Sequence, residues 1–162
     1  MANKVKVDLG SNSYNITMIG DFKDSVKRFA SSTKSQCMLI TQKNIFDLYK
    51  KQFDELSNIS NINIFLIDEG EKAKSFDSTI SIVNEMADKR FDRSSLVLAI
   101  GGGVVGDVAG FAASIYMRGI KYVQYPTTLL AMVDSSIGGK TGINLEDGKN
   151  LVGRIYQPKA VE

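Results

Sequence analysis

The sequence predicts an α/β fold, in which a largely parallel β-sheet is flanked by helices and carries a β-hairpin at its amino end. Short apolar runs alternate with segments whose apolar residues recur every three or four positions, which is typical of strands alternating with helices. One apolar run, residues 96–100, leads into three glycines and a second apolar stretch at helical spacing. This order predicts a buried strand, a tight turn and a helix start. We expect one domain over residues 1–162.

Composition excludes several classes of protein. With 43% hydrophobic residues, 23% charged residues and a net charge of +2, the chain resembles an ordinary globular protein without a nucleic-acid or membrane partner.

The amino terminus, Met1 to Lys4, begins no apolar signal segment, so a cytoplasmic location is expected. Cys37 lies in an apolar run and is predicted to be a core residue, with a reactive thiol as the minor alternative.

The sequence contains no histidine, which excludes a Ser-His-Asp triad, a Cys-His pair and any histidine metal ligand. No tight cluster of acidic residues has metal-ligand spacing either, so no metal site is predicted within this chain. Acid–base chemistry would therefore depend on Asp, Glu, Lys or Tyr.

Two apolar runs at the amino end predict the β-hairpin. Residues 4–9 alternate between apolar and polar side chains, residues 14–19 form a second run, and residues 10–13 have the composition of a turn.

A helix and a buried strand are predicted next. Asp21 is placed to cap the helix, and residues 36–40 form the strand. The apolar residues predicted to share one face of that helix are Phe22, Val26, Phe29 and Ala30.

Two further helices and a strand precede the glycine turn. Thr41 or Asn44 can cap the first helix, and residues 62–67 form a strand that leads into a charged loop at residues 68–74. Ser75 opens the second helix. The predicted core-facing residues are Ile45, Leu48, Tyr49, Phe53 and Leu56 in the first helix, and Phe76, Ile80, Val83 and Ala87 in the second.

The glycine turn is a candidate phosphate site. Gly101, Gly103 and Gly106 have the G-x-G-x-x-G spacing, and a helix start directs unpaired N–H groups toward an anion. A turn that only lets helix and strand pack closely is an open alternative. The first acidic residue after Asp107 is Asp134, too far along to bind a ribose in the usual way. We therefore predict a Rossmann-like sheet rather than a standard two-mononucleotide Rossmann domain.

The helix after the turn is apolar on nearly every side, so we expect it to be the most buried helix, ending at Gly119. Asp107 falls in its first turn, where it is either a partner of the helix dipole or a carboxylate facing a ligand cleft. Arg118 either compensates the dipole at the helix end or binds an anionic substrate.

Polar residues follow the next strand, predicted over residues 120–125. Thr127 and Thr128 can cap a short helix over residues 129–133, or their hydroxyls can contact a nucleotide.

A second glycine-rich stretch covers residues 134–144. It is not a P-loop, because Asp134 occupies the position of the first glycine and no strand precedes it. Lys140 lies among glycines six residues after Asp134, so a phosphate-binding cation and a proton-holding carboxylate are close in sequence. Lys149 is either a surface charge or a second cation for a polyanionic ligand.

In combination these motifs resemble the 3-dehydroquinate synthase family over nearly the whole chain. The matching elements are Gly70-Glu71 with Lys74, GGGVVGD at 101–107, Arg118-Gly119, PTTLLA at 126–131, VDSS at 133–136, GGKTG at 138–142, Gly148-Lys149-Asn150 and Gln157-Pro158. The resemblance implies an NAD-dependent enzyme that converts the sugar phosphate 3-deoxy-arabino-heptulosonate 7-phosphate to 3-dehydroquinate and phosphate in the shikimate pathway.

The resemblance also implies roles for individual residues. Asp134, Lys140 and Asn150 would contact the substrate, and Arg118 would reach a substrate phosphate of the neighbouring subunit, since the family forms homodimers. The residues implied to bind NAD are Asn44, Gly70, Glu71, Lys74, Gly102, Gly103, Val104, Val105, Gly106, Asp107, Thr127, Thr128, Lys140 and Lys149.

The sequence also departs from the family pattern. The family holds zinc or cobalt in a helical C-terminal domain that is absent here, so we expect residues 1–162 to be an N-terminal NAD-binding domain without activity of its own. Gln42 replaces a frequent Asp, and Leu145 replaces a frequent His. Two other functions stay open: a stand-alone nucleotide-binding or assembly module, and an oxidoreductase of the glycerol dehydrogenase type.

Overall fold

A seven-stranded sheet forms the centre of the protein in the computed structural model, which describes residues 3–162. Its strand order is β1-β2-β9-β6-β5-β3-β4, and a separate pair is formed by β7 and β8. The strands are β1 Lys4–Val7, β2 Tyr14–Thr17, β3 Cys37–Gln42, β4 Ile62–Ile67, β5 Leu96–Gly101, β6 Lys121–Pro126, β7 Lys140–Leu145, β8 Gly148–Ile155 and β9 Ala160–Val161. The helices are α1 Phe22–Ser32, α2 Lys43–Leu48, α3 Lys50–Ser57, α4 Phe76–Asp88 and α5 Gly103–Ile115.

Every neighbouring pair in the large sheet is parallel except β1 with β2, which form the antiparallel hairpin. The predicted parallel sheet and amino-terminal hairpin are therefore confirmed. Strand β9, which joins the hairpin to the parallel strands, was not predicted, because two residues carry no periodicity.

Alternate side chains of the central strands pack against helices on both faces of the sheet. Met38 and Ile40 of β3 belong to the core beneath α4 and α5, whereas Cys37 and Leu39 belong to the core beneath α1 and α3. Cys37 is fully buried, and burial raises the pKa of its thiol to about 12. It is thus the predicted core residue, and the reactive-thiol alternative is not supported.

The single helix predicted after β3 is divided at Tyr49 into α2 and α3. Leu48 is 71% exposed, so its predicted core position is wrong. The residue before α2 is Gln42, which makes no side-chain capping bond, so capping by Thr41 or Asn44 is wrong as well. The break at Tyr49 allows the rings of Phe46 and Phe53 to stack at a centroid distance of 5.0 Å.

Helix α4 begins after Ser75, whose hydroxyl accepts the N–H of Ser78 as predicted, but it buries a different face. The sheet covers the stripe of Thr79, Ile82 and Met86. The predicted stripe is more exposed, because both stripes satisfy the same helical spacing. In the predicted stripe, Phe76 is 49% exposed and Ile80 is 47% exposed.

Helix α5 is the most buried helix, as predicted, with nine buried residues. It ends at Ile115 rather than near Gly119, because a 3₁₀ turn with left-handed φ at Met117 and Arg118 intervenes. Since α5 begins at Gly103, Asp107 lies beyond the first turn, and its predicted place in that turn is wrong.

Strands β7 and β8 form an antiparallel ribbon against α5 that was not predicted, since the glycine-rich sequence obscures strand periodicity. A Cβ atom at Gly110 of α5 would lie 2.5 Å from Thr141 Cγ2, so this glycine is what allows the ribbon to approach the helix.

Within residues 3–162, no helix combines the length and apolar character needed to cross a bilayer. The prediction about the amino terminus also involves Met1 and Ala2, which lie outside the described residues.

Candidate functional site

The glycine turn lies at the carboxyl edge of the sheet, between β5 and α5. The N–H of Thr127, after β6, donates to the carbonyl of Gly101 at 2.9 Å and fixes the two strand ends together. A side chain at Gly101 would collide with Val105, and a Cβ at Gly106 would lie 2.5 Å from Gln124 Oε1. Close packing thus explains these two glycines, while the start of α5 still leaves N–H groups without intrahelical partners.

A buried lysine organises the polar groups beside this turn. Lys74 is only 6% exposed, and its Nζ lies 2.8 Å from Asp107 Oδ2 and also donates to Asn150 Oδ1. Glu71 Oε1 lies 3.8 Å from the same nitrogen. The structure therefore brings together four predicted site residues from the loop after β4, from α5 and from β8.

Burial controls the electrostatics of Asp107. Loss of hydration raises the pKa of this carboxyl above its usual value, while the hydrogen bond and positive charge of Lys74 act in the opposite direction. Lys74 therefore favours the charged form of Asp107 against the effect of burial.

Asn144 connects these residues and was not assigned a role from the sequence. Its side-chain amide donates to Glu71 Oε1, its main-chain N–H donates to the carbonyl of Lys74, and its Oδ1 accepts the N–H of Asn150, each at 2.9 Å. The available signal was its position at the end of the second glycine-rich stretch, where strand periodicity was not recognised.

A cleft of about 460 Å³ opens beside this cluster. Lys140 Nζ lies 2.7 Å from Asp134 Oδ1; both side chains are more than half exposed, and both residues line the cleft. Asp107 and Asn150 also line the cleft, so it collects four predicted residues. Sequence reasoning missed Ser135, Thr141, Gly142, Leu151, Gly153, Arg154 and Ile155, which also line it.

The two threonines after β6 differ in their surroundings. Thr128 Oγ1 accepts the N–H of Ala131 at 3.2 Å, so its capping role is confirmed. The turn that follows is π-helical over Ala131–Ser135. Thr127 Oγ1 is buried without a hydrogen-bond partner among the described residues, which leaves a polar atom available for a ligand.

The remaining predicted cofactor residues lie near the same edge. The N–H of Asn44, at the start of α2, donates to Glu69 Oε1 at 3.1 Å, and Gly70 adopts a left-handed φ of 76° before Glu71. Lys149 is exposed near the beginning of β8. Gln42, one of the departures from the family pattern, donates Nε2 to the carbonyl of Asp68 at 2.8 Å. Leu145, the other departure, is 40% exposed at the end of β7.

Arg118 lies apart from these residues. It is exposed in the turn after α5, at the opposite end of that helix from the glycine turn. The structure therefore does not bring Arg118 to the cleft of its own chain, and its expected contact with a neighbouring subunit stays a prediction.

The described part of the chain contains no group of three or more His, Cys, Asp or Glu side chains that could hold a metal ion. The cluster of Lys74 and Lys140 with carboxylates and amides, beside free N–H groups, suits a phosphate-bearing organic ligand instead.

Comparisons of sequence agree with this chemistry. The family model described as 3-dehydroquinate synthase N-terminal matches residues 64–162. The 3-dehydroquinate synthase of Dictyoglomus thermophilum is 48% identical over 161 residues, which cover 98% of this chain and 43% of that protein. The chain thus spans less than half the length of this relative.

Solved structures of two other synthases have a similar fold. A 2-deoxy-scyllo-inosose synthase complexed with carbaglucose-6-phosphate, NAD+ and Co2+ has a TM-score of 0.86 and 27% identity, covering 98% of this chain and 44% of that one. A 2-epi-5-epi-valiolone synthase from Streptomyces hygroscopicus subsp. jinggangensis 5008, with NAD+ and Zn2+ bound, has a TM-score of 0.82 and 30% identity, covering 96% and 44%. Because the family model matches residues 64–162, more than half of its length, this chain belongs to the 3-dehydroquinate synthase family.

Proposed function

We propose that residues 1–162 form the NAD-binding domain of a 3-dehydroquinate synthase. The observation that carries this proposal is the convergence of Lys74, Asp107 and Asn150 beside the glycine turn. Three separate chain segments supply these polar groups at the edge of a parallel sheet, where open α/β folds bind nucleotides.

The residues present fit NAD. The first N–H groups of α5, at Gly103 and Val104, are available for the pyrophosphate, and exposed Lys149 adds a positive charge. The buried hydroxyl of Thr127 lacks a partner and can bond a ribose or an amide of the dinucleotide. The carboxylate of Glu71 and the amide of Asn150 provide further acceptors and donors for hydroxyl groups.

The cleft of about 460 Å³ is proposed to receive the sugar phosphate. Bound NAD would supply a reversible acceptor of hydride, and the side chains would bind and orient the substrate. Lys140 provides a cation for phosphate or carboxylate oxygens, and Asp134, 2.7 Å away, can hold a proton from a substrate hydroxyl.

A second domain is proposed to supply the divalent metal, since this chain covers only 43% of the Dictyoglomus thermophilum relative and the two similar synthase structures contain Co2+ or Zn2+. An apolar groove of about 570 Å³ beside Thr127 is the proposed docking surface, since Leu129 is 75% exposed and Val133 is 64% exposed there. We expect this chain alone to bind NAD without releasing phosphate from the sugar phosphate. In the complete enzyme we propose a homodimer in which Arg118 faces the partner's substrate.

Calorimetric titration of NAD tests the proposal. We expect one NAD per chain, and we expect Lys149→Ala to weaken binding about tenfold, because it removes a charge-assisted contact with the pyrophosphate. Lys121→Ala is the matched control, since Lys121 is an exposed lysine at the start of β6, on the opposite edge. Absence of heat with the wild-type chain, or equal weakening by both substitutions, would contradict the proposal.

A further inference from the structure

We infer that Asn144 is a positioning residue for the proposed NAD site, an assignment that rests on the proposed function. Asn144 is not among the residues lining the cleft. It nevertheless bonds three of the residues proposed to bind the cofactor or substrate: Glu71, Lys74 and Asn150.

An irregularity in the β7–β8 ribbon gives Asn144 this position. Ile143 pairs with Val152 and Leu145 pairs with Gly148, so Asn144 alone lies opposite residues 149–151. The additional residues form a bulge, which displaces this part of β8 from regular pairing. The bulge is what presents Lys149 and Asn150 at the edge of the site.

The side chain of Asn144 replaces the hydrogen bond that the bulge removes. Asn150 adopts a left-handed φ of 57°, a conformation that asparagine tolerates better than most residues other than glycine. Its N–H donates to Asn144 Oδ1 at 2.9 Å instead of to a carbonyl of the opposite strand. The conformation of Asn150 therefore depends on this side-chain acceptor.

The donor groups of Asn144 hold the other side of the site. Its Nδ2 fixes the Glu71 carboxylate, and its main-chain N–H fixes the carbonyl of Lys74. Lys74 Nζ then extends from this anchored segment to Asp107 and Asn150. An amide side chain supplies the acceptor for Asn150 and the donor for Glu71 from two separate atoms, which suits asparagine at this position.

The first test compares two asparagines. We expect Asn144→Ala to weaken NAD binding about tenfold and to increase hydrogen exchange at the Asn150 amide. Asn61 is the matched control, because its Nδ2 donates to the carbonyls of Ala30 and Ser35 at 3.1 Å, away from the cleft. Asn61→Ala should lower stability and leave NAD affinity unchanged.

The second test reverses the polarity of one bond and stays informative if Asn144→Ala does not fold. Asn144→Asp keeps the acceptor for Asn150 but places an oxygen against Glu71, so NAD affinity should fall. Adding Glu71→Gln restores a donor, so Glu71→Gln should cost less NAD affinity in the Asn144→Asp background than in the wild-type background.

Three results would overturn the inference. The first is wild-type NAD affinity in Asn144→Ala, and the second is an equal loss of affinity in Asn61→Ala. The third is an equal effect of Glu71→Gln on NAD affinity in the wild-type and Asn144→Asp backgrounds. Failure of the wild-type chain to bind NAD would instead overturn the proposed function, and the inference with it.

Discussion

Lys74 and Asp107 form a mostly buried ion pair beside the cleft, with side-chain exposures of 5% and 17%. Such a pair contributes little net stability, but removing one partner is costly, because the other charge is left buried. Asp107 already has a raised pKa from burial, even with Lys74 present. The stability of the folded protein therefore depends on a cation at position 74.

We predict that Lys74→Met destabilises the protein by about 2–3 kcal/mol at neutral pH, the cost of an unpaired buried charge. The folded-state pKa of Asp107 would rise further above its usual 3.8, so the penalty should decrease as the pH falls below that raised value and be lost below about 3.8. Urea unfolding at several pH values measures this. Adding Asp107→Asn should recover most of the loss at neutral pH; a pH-independent loss would contradict the mechanism.

The pKa of Asp92 is shifted in the opposite direction from that of Asp107. The Ser94 hydroxyl donates to its Oδ1 at 2.7 Å, and hydrogen bonds from serines lower the pKa of Asp92 from 3.8 to about 2. The folded form binds its proton less tightly than the unfolded form does, so this group stabilises the fold above its usual pKa. The contribution is lost as the pH falls toward about 2.

We therefore predict that Asp92→Ala lowers the free energy of unfolding by a constant amount above pH 3.8, and that the difference from wild type shrinks at lower pH. Denaturant unfolding of both proteins across this range provides the measurement. A difference that stays constant down to pH about 2 would show that the charge of Asp92 is not involved.

Among the structural elements, α5 and the β7–β8 ribbon determine the shape of the cleft. A Cβ at Gly110 would meet Thr141 Cγ2 at 2.5 Å and Tyr122 Cε2 at 3.1 Å. The ribbon can lie against the helix only because position 110 has no side chain. Lys140 and Asn150 reach the cluster around Lys74 through this contact.

Gly110→Ala should destabilise the protein by about 1–3 kcal/mol through overpacking, despite the better helix propensity of alanine. Thr141→Ser removes the methyl group that clashes and keeps the hydroxyl that donates to the carbonyl of Arg154. The double variant should therefore recover part of the lost stability, as measured by urea unfolding, while the contact with Tyr122 Cε2 at 3.1 Å remains. Gly110→Ala with wild-type or higher stability would contradict this packing.

Strong local signals made some elements predictable from the sequence. Residues 62–67 form β4 as predicted, and Ser75 caps α4, because an apolar run and a capping hydroxyl are local features. The buried face of α4 and the break at Tyr49 depend on tertiary packing. The β7–β8 ribbon was missed because glycines and exposed residues interrupt its alternation.

For the molecule as a whole, the parallel sheet brings the residues of the candidate site together at one edge. Strands β3, β4, β5 and β6 end at one edge of the sheet. Of the segments after them, the one with Thr127 bonds Gly101 of the glycine turn, and the one with Lys74 bonds Asp107 of α5. This consequence of topology could be predicted from the strand–helix order. The contacts of Asn144 could not, because they depend on a bulge in an unrecognised ribbon. Arg118 lies at the opposite edge because α5 separates it from the turn.

Amide chemical shifts of isotope-labelled protein during an NAD titration test the proposed site most directly. We expect saturable shifts at Gly103, Val104 and Asn150, while amides near Arg118 at the opposite edge remain unchanged. This pattern would place the dinucleotide on the start of α5 and against the bulge of β8. The absence of shifts at millimolar NAD, or saturable shifts confined to other surfaces, would contradict NAD binding at the glycine turn.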